Sequence, residues 1–249
     1  MEFWNLSSEK VNNLNRNTPL IIPVAAVEQH SKHLPLATDS LLLGEVIARA
    51  QKQSSQNAYF LPLMWLGNSH HHIDFAGTLS APPRVWIEIL SALVENLIGH
   101  GFRRILVING HGGNSVPINQ SLFECRQKYR KLEHLLLLNA TYWTLGDPTQ
   151  TVLNWTQTEM GHACEWETSM MLTLQSNLVG DYQSLPDVPM QPAFDMAERA
   201  WITQERSVSG YIGNPKDATA EKGECLFDIF SHGLVELIRK IDSWNGTPW

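Results

Sequence analysis

Along most of this chain, short unbroken apolar runs alternate with longer stretches of helical periodicity. That alternation limits the possible folds more than any other feature. Pro19–Val27 (PLIIPVAAV), Tyr59–Trp65, Arg104–Ile108 (RILVI) and Leu135–Leu138 read as strands. Between them, Ser40–Gln51 reads as a helix with Asp39 as its N-cap. After Pro82 and Pro83, the residues Val85, Trp86, Ile89, Leu90, Leu93, Val94, Leu97 and Ile98 fall on one helical face, and Gly99 and Gly101 suit the helix end. Pro117–Lys131 reads as a helix and His162–Gln175 as more helical than extended. Glu224–Trp244 reads as a closing amphipathic helix. Strands alternating with helices predict an α/β fold with a mostly parallel sheet covered on both faces. Gly180–Ala220, rich in Pro, Gly, Ser and Asp, reads as an irregular surround of an active site or subunit contact rather than a linker.

Composition narrows the function classes. Of the 249 residues, 43% are hydrophobic and 17% charged, which supports a sizeable core and excludes wholesale disorder. The net charge of −7 gives no basic stripe to neutralise phosphates, so nucleic acid is not expected as a partner. No apolar stretch approaches the roughly 20 residues that span a bilayer, so no membrane is expected. The first ten residues lack the pattern of a secretory signal. The three cysteines are scattered and form no CxxC pair, which reads as reduced thiols in a cytoplasmic protein.

In parallel sheets, ligands collect beyond the carboxyl ends of the strands, so the polar residues after each apolar run carry the functional signal. The first run is followed by Glu28-Gln29-His30-Ser31-Lys32-His33-Leu34-Pro35 and then Thr38-Asp39. In extended chain Glu28 and His30 point to the same side, and Asp39 lies close enough to fold back beside them. Carboxylates with imidazoles suit zinc, manganese or iron(II), and a carboxylate can bridge two ions. The later run is followed by Asn109-Gly110-His111-Gly112-Gly113-Asn114, a glycine-rich turn that presents His111 and allows close approach of a ligand. Its spacing is not the dinucleotide fingerprint. Downstream, His162, Glu165 and Glu167 lie in an otherwise apolar segment and need partners if buried.

These segments resemble the motifs of the creatininase family. AVEQHSKHLPLATD resembles its E-Q-H-G-P-H-L-P-x-x-T-D signature, GFRRILVINGHGGNS its second motif, and HACEWETSMML its third. HHIDFAGTLSAPP resembles the linking segment, and motif order and spacing agree from about residue 20 to residue 180. The resemblance implies a single domain over residues 1–249, folded as a three-layer α/β/α sandwich and assembled as a homohexamer. It implies two divalent ions and no organic cofactor. Glu28 and His111 would hold one ion, His30 the other, and Asp39 would bridge them, while His162 matches the family's catalytic histidine.

Two departures stand out. Creatininase carries an acidic ligand two residues after the histidine of its second motif, where this chain has Gly113. Glu167 is the expected replacement, both ligand and catalytic candidate, with Glu165 second. Ser31-Lys32 replaces the usual Gly-Pro, so Lys32 would aim a cation at an anionic substrate. His72, Gly112, Gly113 and Trp143 complete the candidate substrate contacts. The implied function is metal-dependent hydrolysis of a C–N bond in a small, cyclic or open amide, with His162 moving the proton. Loss of the acid at position 113 points away from creatinine itself and towards a formamide, lactone or cyclic-ketone hydrolase of the family. A non-hydrolytic isomerase and a metal-poor binding protein without catalysis are the rival classes.

Overall fold

The computed structural model describes residues 1–53, 58–189, 197 and 199–247. Four strands form one wholly parallel sheet: β1 (Leu20–Val24), β2 (Tyr59–Phe60), β3 (Arg104–Asn109) and β4 (Leu136–Thr141), in the order β2-β1-β3-β4. The helices are α1 (Ser8–Asn12), α2 (Thr38–Gln53), α3 (Pro83–Gly99), α4 (Ser115–Lys128), α5 (Glu165–Gln175), α6 (Thr203–Arg206) and α7 (Ala220–Ser243).

Alternation of side chains across each strand produces the three layers. Ile21, Leu106 and Ile108 face one core with α2, α5 and α7, through residues such as Leu42, Val46, Met170, Phe227 and Phe230. Leu20, Ile22, Ile105 and Val107 face a second core with α3 and α4, through Trp86, Leu90, Val94 and Ile118. Both faces of β1 are therefore apolar, which is why its sequence shows no period of two. The α/β class and the parallel sheet match the expectation from sequence.

Several details differ from that expectation. The second strand is only two residues long, and the chain beyond it follows β1 through single contacts such as Met64 N–H to Pro23 O at 2.9 Å. Asp39 is not an N-cap: α2 begins at Thr38, so Asp39 sits in its first turn with its side chain turned inward and buried. On α3, Val85 and Ile89 are each 46% exposed, so the buried stripe is narrower than the apolar one and consists of Trp86, Leu90, Val94, Leu97 and Ile98. His162 precedes α5 and pairs with Ile212 through reciprocal backbone hydrogen bonds of 2.9 and 2.8 Å. The stretch Gly180–Ala220 is largely irregular where described; residues 190–196 and 198 lie outside the described residues. No helix among the described residues is long and apolar enough to cross a membrane.

Helices α5 and α7 pack tightly at Gly223. A Cβ there would lie 2.0 Å from Ser169 O and 2.3 Å from Thr173 Oγ1. Replacing a helical glycine by alanine ordinarily gains about 1 kcal/mol, but overpacking of this kind costs about 1–3 kcal/mol. Gly223→Ala is therefore expected to lower stability in urea unfolding despite its better helix propensity. A stabilised variant would contradict the close packing.

Candidate active site

The sheet changes direction of growth between β1 and β3: β2 lies on one side of β1, and β3 and β4 on the other. The crevice beyond the carboxyl ends of β1 and β3 is where such folds bind ligands. Glu28, Gln29 and His30 follow β1, and His111 follows β3 by two residues. The α2 start brings Asp39 into the same crevice and the first turn of α5 brings Glu167.

The five side chains meet. His30 Nε2 lies 3.2 Å from Asp39 Oδ1 and 3.6 Å from Glu167 Oε1. His111 Nδ1 lies 3.0 Å from Asp39 Oδ2 and 3.3 Å from Glu28 Oε1. His162 Nδ1 and His72 Nε2 approach Glu28 Oε1 at 3.6 and 3.4 Å. Glu28, Asp39 and Glu167 are all at least 96% buried. Nevertheless Glu28 Oε1 and Oε2, Asp39 Oδ2 and Glu167 Oε2 have no hydrogen-bond donor. Buried carboxylate oxygens without donors are costly unless a cation serves them.

The outer nitrogens of the imidazoles are tethered. His30 Nδ1 reaches Glu28 O at 3.2 Å, His111 Nε2 reaches Asn68 O at 3.0 Å, and His162 Nε2 reaches Gln29 O at 2.9 Å. A backbone carbonyl can only accept, so each outer nitrogen carries a proton, and whenever the ring is neutral its inner nitrogen turns a lone pair towards the carboxylates. Imidazole nitrogens and carboxylates facing one another with carbonyls behind them could hold a metal ion, the carbonyls fixing the rings from behind. Ligand atoms of Glu28, His30 and Asp39 lie within 4.8 Å of one another, as do those of His30, His162 and Glu167.

Electrostatics agree with a demand for positive charge. Burial favours neutral His30, but Asp39 and Glu167 outweigh it and raise its pKa well above the ordinary value. Burial likewise opposes charge on His111, and Glu28 and Asp39 raise its pKa. Burial would raise the Asp39 pKa, yet His30 and His111 hold it well below the carboxylate range. In the metal-free protein, protons on His30 and His111 thus balance part of the anionic charge. His162 differs: burial, with His30 close by, lowers its pKa to about 3 and keeps it neutral.

Glu165 and Glu167 separate clearly. Glu165 is fully buried, pairs with Lys222 Nζ, and accepts from Thr156 N and Gln157 N at 3.1 and 2.8 Å. It joins α5 to α7 and faces away from the crevice residues. The crevice opens into a cavity of about 790 Å³ lined by His72, Gly112, Gly113 and Trp143, among others. Lys32 does not line it. Ser31 adopts φ 58°, and the turn sends His30 and His33 inward while Lys32 is exposed.

Sequence reasoning missed Gln29, His71 and Trp201. Gln29 Nε2 donates to Gly210 O at 2.7 Å, and its Oε1 accepts from Ser31 N at 2.8 Å, tying the β1 loop to the chain after α6. Its place between Glu28 and His30 was the available signal. His71 and Trp201 line the cavity from loops that show no periodicity.

A family model described as creatinine amidohydrolase, that of the creatininase family, matches residues 4–238. The chain belongs to the creatininase family. It is 27% identical over 241 residues to creatinine amidohydrolase of Pseudomonas putida, covering 89% of this chain and 88% of that protein. It is 25% identical to the mycofactocin precursor peptide peptidase of Mycolicibacterium smegmatis, covering 89% and 84%. It is 26% identical to 3-dehydro-scyllo-inosose hydrolase of Thermotoga maritima, covering 89% and 77%. The crystal structure of creatininase superposes with a TM-score of 0.79 at 24% identity, covering 99% of this chain and 98% of that one. Solved creatininase structures of the same fold include a manganese form and a zinc–zinc form.

Within this creatininase-family fold, disturbing the two acids of α5 should have unequal effects on stability. Lys222→Met leaves Glu165 buried without its partner and is expected to cost about 3–5 kcal/mol. In chelator-treated protein, Glu167→Gln removes a carboxylate whose Oε2 lacks a donor and whose Oε1 meets only His30 at 3.6 Å, so it should cost much less than Lys222→Met. Equal destabilisation of both variants in urea unfolding would contradict the assignment of Glu165 to structure and Glu167 to the site.

Proposed function

We propose that the protein is a metal-dependent hydrolase that cleaves a C–N bond of an amide in the cavity beyond β1 and β3. The observation that carries this reading is the convergence of donor-less carboxylate oxygens with carbonyl-tethered imidazoles. Glu28, Asp39 and His111 would hold one divalent ion, and His30, Asp39 and Glu167 a second, with Asp39 shared. Zinc and manganese suit the donors, as does iron(II). When bound, such ions polarise a carbonyl and lower the pKa of a water to about 7.

The chain's own residues supply the rest. His162 is neutral, with Nε2–H held by Gln29 O and Nδ1 facing Glu28 at 3.6 Å. It can take a proton from the attacking water and return it to the departing nitrogen as the C–N bond breaks, completing hydrolysis to an acid and an amine. Trp143 and Trp201 give the cavity aromatic walls. The N–H groups of the Gly112–Gly113 turn are candidates to steady a developing oxyanion. The cavity's volume lies within the usual range for ligand sites and admits amides larger than a single small ring. The Pseudomonas putida and Mycolicibacterium smegmatis relatives are named for C–N bond hydrolysis, which favours amides and formamides over the cyclic ketone suggested by the Thermotoga maritima relative. A homohexamer belongs to the same reading. So does cytoplasmic residence, in keeping with three free cysteines.

His162→Ala should retain its metal ions and lose turnover by about 10²–10⁴-fold, measured by metal analysis beside a screen of cyclic amides, formamides and lactones. Full turnover in this variant would remove His162 from the chemistry. Metal affinity should also rise with pH across the neutral range, because incoming ions must displace the protons that the carboxylates hold on His30 and His111. Calorimetric titrations in buffers of different ionisation enthalpy measure the protons released; none released would contradict this ligand set.

A further inference from the structure

Position 113 lacks a side chain, and its surroundings show why an acid is not accommodated there. A Cβ on Gly113 would lie 2.2 Å from Asn68 O, 2.5 Å from His111 Nε2 and 2.8 Å from His71 Cε1. The volume an acidic side chain at 113 would need is thus bounded by His71. His71 comes from the 3-10 turn His70–His72, between β2 and α3. Its ring lies parallel to that of His111, with centroids 5.7 Å apart and an interplanar angle of 13°. The Trp201 ring meets it edge-on, with centroids 5.1 Å apart. Thr203 Oγ1 donates to His71 O at 2.6 Å and holds the turn. The ring is therefore packed in place. Among the described residues, neither of its ring nitrogens has a hydrogen-bond partner, unlike those of His70, whose Nδ1 meets Ser80 Oγ at 2.6 Å.

A ligand atom of His71 lies within 4.8 Å of those of both Glu28 and His111. Glu28 contributes two buried oxygens without donors to this group. We propose that His71 is a metal ligand, completing the shell of the ion held by Glu28 and His111. The inference rests on the metal-dependent reading above and extends it by one residue. It has a consequence for charge. Glu28, Asp39 and Glu167 carry three negative charges against the four positive charges of two divalent ions, and a neutral imidazole adds none. The loaded centre then keeps one net positive charge, whereas a fourth carboxylate would cancel it. Imidazole also suits zinc better than a further hard oxygen ligand would.

The test is metal binding rather than activity. Zinc titration against a chromophoric chelator, with metal analysis of the whole protein, should show two ions in the natural sequence. His71→Ala and the volume-preserving His71→Gln should weaken one of the two by at least about tenfold, the lower bound seen even for supporting-shell losses. The other ion should bind as before. His70→Ala, which alters a neighbouring exposed histidine, should leave both unchanged. Cobalt substitution gives a second readout: the visible bands of one site should change in the His71 variants and not in His70→Ala. Two ions at unaltered affinity in both His71 variants would overturn this inference and leave the hydrolase reading intact. A natural protein that binds no ions would overturn both.

Discussion

Three carboxylates, Glu28, Asp39 and Glu167, are buried in one crevice with too few hydrogen-bond donors to serve them. The local architecture depends on how that charge is balanced. Isolated buried carboxylates would take up protons, and paired ones would find lysine or arginine. Here they find imidazoles, and carbonyls hold the outer N–H of His30, His111 and His162. An imidazole in that setting can carry a proton or yield its lone pair to a metal ion. Protons and metal ions would therefore compete for the same nitrogens. The Glu165–Lys222 pair nearby shows the alternative, a buried acid matched permanently to a cation and to backbone N–H groups.

The fold makes this concentration of charge tolerable by placing it where strands end. Apolar residues of β1 and β3 fill both cores, and the polar residues begin where the strands stop, at the point where sheet growth reverses. Helix starts then supply Asp39 and Glu167 from the sides. The loop following α6 closes the far wall. Its Gly210 O and Ile212 backbone are tied to Gln29 and His162 respectively, so the segment that shapes the cavity is fastened to the residues beside Glu28 and His30.

Much of this was legible in the residues. The unbroken apolar character of PLIIPVAAV and RILVI marks strands covered on both faces, and acids or histidines after those runs mark the site. What stayed hidden depends on geometry that periodicity does not encode. Val85 and Ile89 continue the apolar pattern of α3 but lie outside the stripe that meets the sheet and α4. The outward course of Lys32 follows from the positive φ of Ser31, a conformation that residue type alone does not announce. The sequence already favours Glu167 over Glu165, but the physical reason, the pairing of Glu165 with Lys222 at a separation of 57 residues, emerges only in the fold. His71 and Trp201 sit on irregular segments far apart in sequence, and only the folded chain sets one ring against the other.

The most direct measurement is anomalous diffraction at the zinc or manganese edge from crystals of the metal-loaded protein. Two peaks are expected a few ångströms apart, one between Glu28 and His111 and the other between His30 and Glu167, with Asp39 beside both. Absence of any peak in that crevice, or a peak held by residues elsewhere, would contradict this ligand set.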